Sequence, residues 1–180
     1  MDDIYIKKVL SGDTEAYRYF LKTYKDMAYH VAVSILKDPS YAEEAVQDAF
    51  MKAFKGLKSF NRTATFKSWF YRIVINEAFQ RLRKIKRERV VFAPHAEILT
   101  LESTSVFDSD EEEQKYLIGE ALNRLPPNES LALNLFYLES YSLAEIGNIT
   151  GWSMSNAKVI LHRARKALRL TLGSILKPST

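Results

Sequence analysis

The stretch that decides the fold is SLAEIGNITGWSMSNAKVILHRARKAL, residues 142–168. Leu143, Ile146 and Ile149 recur at three-residue steps and give a short helix over 142–149 one apolar face. Ser142, with Glu145 three residues on, forms a capping box at its start. Gly151 stands where a helix end needs a left-handed residue. Ser153 then caps a second helix over 153–172, striped by Ala157, Leu161, Ala164 and Leu168. Ala144 and Gly147 are small, so the two helices can approach closely. A short helix, a tight turn and a longer basic helix make the helix-turn-helix plan. The outer face of the second helix carries Ser155, Asn156, Lys158, Val159, His162, Arg163, Arg165 and Lys166. Its early residues are short and polar, suited to base edges; its later ones are long and cationic, suited to phosphates. An ordinary antiparallel helix pair with a basic surface shares this pattern. The absence of any Asp or Glu after Glu145 favours DNA.

Working outward, the last third has two further helices, 111–125 and 128–138, separated by Pro126-Pro127. The segment 89–110 has no sustained period and reads as a linker, with short order around Ile98–Leu101. It ends in the acidic run Asp108 to Glu113, whose carboxylates suit the start of the next helix. In the first half, Tyr17, Phe20, Leu21, Tyr24, Ala28, Val31 and Ile35 set a helix over 16–36. Ala42, Ala45, Val46, Ala49, Phe50, Ala53, Phe54 and Leu57 set another over 40–57. Its cap is either Asp38 with Pro39 at the first helical position, or Ser40 with Glu43. Thr65 caps a third helix running to about Lys86, with Phe66, Trp69, Phe70, Ile73 and Val74 inward. No strand pattern competes and no internal repeat is evident. The fold class is therefore all-α: two small helical domains, 1–88 and 111–180, joined by a flexible acidic linker, 89–110.

Composition bounds the function. The 180 residues include 26 Lys+Arg, 22 Asp+Glu and no Cys. Without Cys there is no disulfide framework, thiolate zinc site or Cys nucleophile. The acidic start, Met1-Asp2-Asp3, is unlike a signal peptide, and no apolar run approaches a membrane span, so a cytoplasmic protein without membrane insertion is expected. The net charge of +4 hides segregation. Residues 52–89 carry 12 basic and 2 acidic side chains, 90–120 carry 1 and 8, and 146–180 carry 6 and none. Two basic blocks around an acidic one suit two contacts with a polyanion. Enzyme chemistry finds no support: there is no Gly-rich phosphate loop and no HExxH, and His30, His95 and His162 are far apart. No metal or cofactor is expected.

The first basic block, KSFNRTATFKSWFYRIVINEAFQRLRKIKR, residues 58–87, mixes cations with aromatic rings. Single-stranded nucleic acid is held in that way, with bases stacked on aromatic faces. The spacing points Phe66, Trp69, Phe70 and Ile73 inward; Asn61, Arg62, Lys67, Arg72, Asn76, Gln80, Arg83, Lys84 and Arg87 remain for the outside.

Two tracts in fixed order now carry a resemblance. DPSYAEEAVQDAFMKAF, followed by TFKSWFYRIVINEAFQRLRK, is similar to region two of the extracytoplasmic function (ECF) group of bacterial sigma factors, within the sigma-70 family. ALNRLPPNESLALNLFYLESYSLAEIGNITGWSMSNAKVILHRARKAL is similar to the group's region four. The resemblance implies a promoter-specificity factor that binds core RNA polymerase and stabilises melted promoter DNA without catalysis. Glu44, Gln47 and Asp48 match the contact with the polymerase. Phe60 to Thr65, including Phe60, Asn61 and Arg62, and Asn76 match the site that captures a displaced −10 base, with Lys67, Gln80, Arg83 and Lys84 along the same helix. The helix from Ser153 to Lys166 matches the reader of the −35 element: Ser153, Ser155, Asn156, Lys158, Val159, His162, Arg163, Arg165 and Lys166. An anti-sigma partner is also implied. Three positions depart from the group's pattern: Gln80 where Asp is frequent, Gly147 where Ala is usual, and Ile160 where a polar or basic residue is frequent. The competing reading is a stand-alone helix-turn-helix regulator with residues 1–88 as a ligand or dimer domain.

Overall fold

The computed structural model describes residues 1–92 and 110–176. Ile98–Leu101 and Asp108 lie outside the described residues, as do the side chains of Asp110, Glu111 and Glu112. Every regular element described is helical. The order is α1 (Asp2–Leu10), α2 (Arg18–Leu36), α3 (Pro39–Gly56), α4 (Phe66–Phe92), α5 (Asp110–Arg124), α6 (Pro127–Leu133), α7 (Leu143–Thr150) and α8 (Met154–Ile175).

Helices α2, α3 and α4 form a three-helix bundle. The cap of α3 resolves to Asp38: its carboxylate accepts from the Tyr41 N–H at 3.0 Å, and Pro39 takes the first helical position. Small residues along α3 (Ala42, Ala45, Ala49, Ala53) are fully covered and bring its neighbours close. Aromatic rings fill the rest: Phe20 meets Phe66 at 4.2 Å and Phe50 meets Phe70 at 4.5 Å between centroids. Thr65 caps α4 by accepting from the Ser68 N–H at 3.1 Å.

Several expectations change. Helix α1 has no counterpart in the sequence reading. It is tied down from a distance: the Asp2 carboxylate accepts from the Tyr19 and Tyr24 hydroxyls at 2.9 and 2.7 Å, and Tyr5 stacks on Tyr19 at 4.0 Å. Leu21 and Phe54, expected inward, are 40% and 39% exposed because they sit at the bundle's edge. Tyr71, which stood among the basic and aromatic residues of the first block, is fully buried. Helix α4 continues past Lys86 to Phe92.

In the second half, α6 runs into a π-helical turn, Asn134–Leu138, and the chain reverses at Ser140 (φ +56°). The capping box at Ser142 and Glu145 forms as expected, Gly151 takes φ +80°, and the Ser153 hydroxyl accepts from the Asn156 N–H at 3.1 Å. Gly147 explains its own departure from the group's pattern. A Cβ there would stand 2.8 Å from the Trp152 carbonyl oxygen, so only Gly admits this tight a turn. Ile160 packs with Leu125, Leu133, Leu161 and Ala164 in the core between α5, α6 and α8.

The two halves also pack on each other. Leu131, Leu135, Ile146 and Ile149 belong to the same apolar cluster as the α2–α4 bundle, with α6 against α2 and α7 against α4.

Candidate nucleic-acid interface and polymerase contact

Helix α8 presents the expected outer face in full. Ser153, Ser155, Asn156, Lys158, Val159, His162, Arg163, Arg165 and Lys166 are all exposed, while Ala157, Ile160, Leu161 and Ala164 are buried beneath them. Arg165 has intramolecular partners as well: its Nε donates to the Tyr137 hydroxyl at 2.8 Å, and its guanidinium lies over the Phe136 and Tyr137 rings. It is therefore more fixed than Arg163 and Lys166. The Ser142 hydroxyl and backbone N–H hold the Glu145 carboxyl below its ordinary pKa and cap the start of α7.

The loop between α3 and α4 is built for polar contact. The Asn61 side-chain oxygen accepts from the Thr63 N–H at 3.2 Å and its hydroxyl at 2.9 Å, a local turn that leaves Arg62 at φ +60°. Phe60 is half-buried and its ring centroid lies 4.9 Å from that of Trp69. Phe60, Asn61, Thr63, Trp69 and Arg72 line one side of an open cavity of about 430 Å³; Glu145, Asn148 and Ile149 of α7 line the other. A flat base fits such a slot, with rings to stack on and amide and guanidinium groups to bind its edge. Asn76, Gln80, Arg83 and Lys84 are exposed along α4, and the last three border a second open groove.

Lys67 departs from its expected place on the free surface. Its ammonium is 3.0 Å from Glu139 and lies over the rings of Tyr71 and Tyr141. Sequence reasoning also missed Trp69 as part of the cavity lining. Trp69 reads as core by periodicity, and only the folded loop beside it shows that it is half-buried and lines the cavity.

The expected polymerase contact lies on α3. Glu44 and Gln47 are exposed and Asp48 is half-exposed, on one stripe of the helix. Arg81 of α4 bridges the two carboxylates: one guanidinium nitrogen binds Glu44 and the other binds Asp48 at 2.9 Å. No sequence signal marks Arg81 within a run of cations.

Residues 20–88 match the Sigma-70 region 2 family and residues 115–168 match the Sigma-70 region 4 family. The ECF RNA polymerase sigma factor SigW of Bacillus subtilis is 33% identical over 93% of this chain and 94% of its own length. The chain belongs to the ECF group of the sigma-70 family. SigV of the same bacterium, an RNA polymerase sigma factor, is 32% identical over 83% of this chain and 86% of its own. Among solved structures, the sigma factor RpoE in complex with the anti-sigma factor NepR, from Bartonella quintana, matches with a TM-score of 0.71 and 25% identity, over 87% of this chain and 96% of that one. The expectation of an all-α sigma fold with regions two and four in that order is met. As an ECF sigma factor the chain serves promoter-directed initiation of transcription by RNA polymerase, and the stand-alone regulator reading is not favoured. Among the described residues no helix is long and apolar enough to cross a membrane.

Proposed function

We propose that this sigma factor divides its work among three surfaces. The α3 stripe of Glu44, Gln47 and Asp48 docks on core RNA polymerase. The slot at Phe60 to Thr65, with Asn76, Gln80, Arg83 and Lys84 along α4, takes the melted −10 strand. The outer face of α8, Ser153 to Lys166, reads the −35 duplex. Residues 1–88 and 111–180 act as the two working units and 89–110 as their tether. The protein works in the cytoplasm, needs no cofactor and turns over no substrate of its own. An anti-sigma factor holds it in reserve, as NepR binds RpoE in the similar structure. The observation that carries this division is the full exposure of the polar and cationic face of α8 above a buried apolar stripe.

The docking assignment is tested by replacing Glu44, Gln47 and Asp48 together with Ala. Affinity for core polymerase should fall at least tenfold with unchanged helicity by circular dichroism. Unchanged affinity would move the docking surface elsewhere.

A further inference from the structure

We propose that Arg81 is the positioning residue of the polymerase-docking stripe: reaching across from α4, its guanidinium holds Glu44 and Asp48 in the geometry that core RNA polymerase grips. The inference deepens the reading of Glu44, Gln47 and Asp48 as the docking surface and rests on it. Glu44 and Asp48 stand one turn apart on α3. Two carboxylates at that spacing repel each other, and free in water each would spread over several rotamers. Arg81 answers both with one group. One guanidinium nitrogen binds Glu44 and the other donates to Asp48 at 2.9 Å. This is a fork shared between two acids, a geometry that a planar guanidinium supplies and a single ammonium does not.

The layering of the three side chains sets the direction of the effect. Arg81 is 23% exposed, whereas Glu44 and Asp48 are 55% and 49% exposed. The cation therefore lies beneath and the carboxylates above it. Each carboxylate accepts through one oxygen, Oε2 of Glu44 and Oδ2 of Asp48, which leaves the other oxygen for a partner's donors. Arg81 thus supports the stripe without covering it, and two side chains are ordered before polymerase arrives. A neighbouring tie separates this role from helix packing in general. One turn back on α4, Glu77 pairs with Lys52 of α3 at 2.6 Å. That pair holds the same two helices in register through residues other than the docking carboxylates.

The test measures association and dissociation rates of the full chain with core RNA polymerase. Arg81→Met removes both charge and fork; Arg81→Lys keeps the charge and loses the fork. Both should weaken affinity at least fivefold, mostly through faster dissociation, because net charge acts chiefly on association. Glu77→Gln, which breaks the neighbouring tie, should stay within twofold. A Glu44→Gln/Asp48→Asn chain should also be weakened at least fivefold, and Arg81→Met added to it should cost less than a further twofold. Helicity by circular dichroism and duplex binding should match the wild type in the Arg81 and Glu77 variants; if Arg81→Met loses helicity, Arg81→Lys decides alone. Wild-type affinity in Arg81→Lys would reduce the effect to charge. Tighter binding by Arg81→Met would make Arg81 a competitor of polymerase. An equal loss in Glu77→Gln, or a loss carried by the association rate, would reduce it to helix packing or steering. Each of these overturns the proposal. The two ideas fail differently. Unchanged affinity in Glu44→Gln/Asp48→Asn removes the docking stripe and this inference with it. Weakened affinity there, with both Arg81 variants unchanged, removes Arg81 alone.

Discussion

The two surfaces proposed to contact nucleic acid are presented in opposite ways. The α8 face carries nine exposed residues over a buried stripe, and the turn before it is set by local devices: a left-handed Gly151 and a Gly147 close under the Trp152 carbonyl. The cavity at the α3–α4 loop has one wall from its own half, with Phe60 4.9 Å from Trp69, and another from α7 of the other half. A surface specified by neighbours in sequence can stand ready in the free chain. A cavity with walls from both halves depends on how the halves pack.

The largest expected effect tests whether the halves share a core. Leu135 is fully buried in the cluster that joins them, whereas Leu161 belongs to the core of α5, α6 and α8 alone. Leu135→Ala should cost about 2–5 kcal/mol and loosen region four from region two. Leu161→Ala should cost a similar amount without that loosening. Urea denaturation, paired with the spacing of fluorescent labels on α3 and α8, reads both. Equal label spacing in the two variants would erase the contrast between the two cores.

A smaller effect isolates the turn. Gly147→Ala forces a Cβ to within 2.8 Å of a backbone oxygen, so the turn must shift. The expected cost is about 1–3 kcal/mol, with duplex binding weakened and single-strand binding unchanged. A parallel fall in both would show that α8's aim and the slot are not independent. On the outer face itself, Lys158→Ala with Arg163→Ala should weaken duplex binding. Its dependence on log salt should become shallower by about one for each phosphate no longer neutralised. An unmoved slope would remove these two residues from the phosphate backbone.

Much of region four was legible because its signals are local. Ser142 with Glu145, Gly151 and Ser153 each name a helix boundary through a side chain or backbone preference acting within a few residues, and all three boundaries form as expected. Helix α1 was not legible. It has nine residues, and its anchors, Tyr19 and Tyr24 on Asp2, lie 17 and 22 positions away. Lys67 failed for the same reason. Its partner Glu139 is on the other half of the chain, and no pattern within α4 predicts it. Leu131 and Leu135 have the spacing of residues serving their own helix bundle, yet they pack on the other one. Arg81 is one more cation in its run until α3 brings Glu44 and Asp48 against it.

The smallest effect is a pH slope at the Lys37 tie. Burial lowers the Lys37 pKa from its ordinary 10.5 to about 8 in the folded chain. Between those values the unfolded chain holds the extra proton, so stability rises with pH through this window. Above about pH 10 the buried phenols of Tyr17, Tyr24 and Tyr71, whose pKa values burial raises, act in the opposite direction. Urea midpoints at pH 8.0 and 9.5 should therefore rise in the wild type and stay flat in Lys37→Met. Equal slopes would remove Lys37 from the junction between the halves.

The most direct measurement is the mapping of transcript 5′ ends made in vitro by core RNA polymerase on fragmented genomic DNA, with and without this chain. The account predicts a set of start sites that appears only when the chain is present and is lost in both Lys158→Ala/Arg163→Ala and Phe60→Ala/Asn61→Ala chains. Start sites that are identical with and without the chain would contradict it.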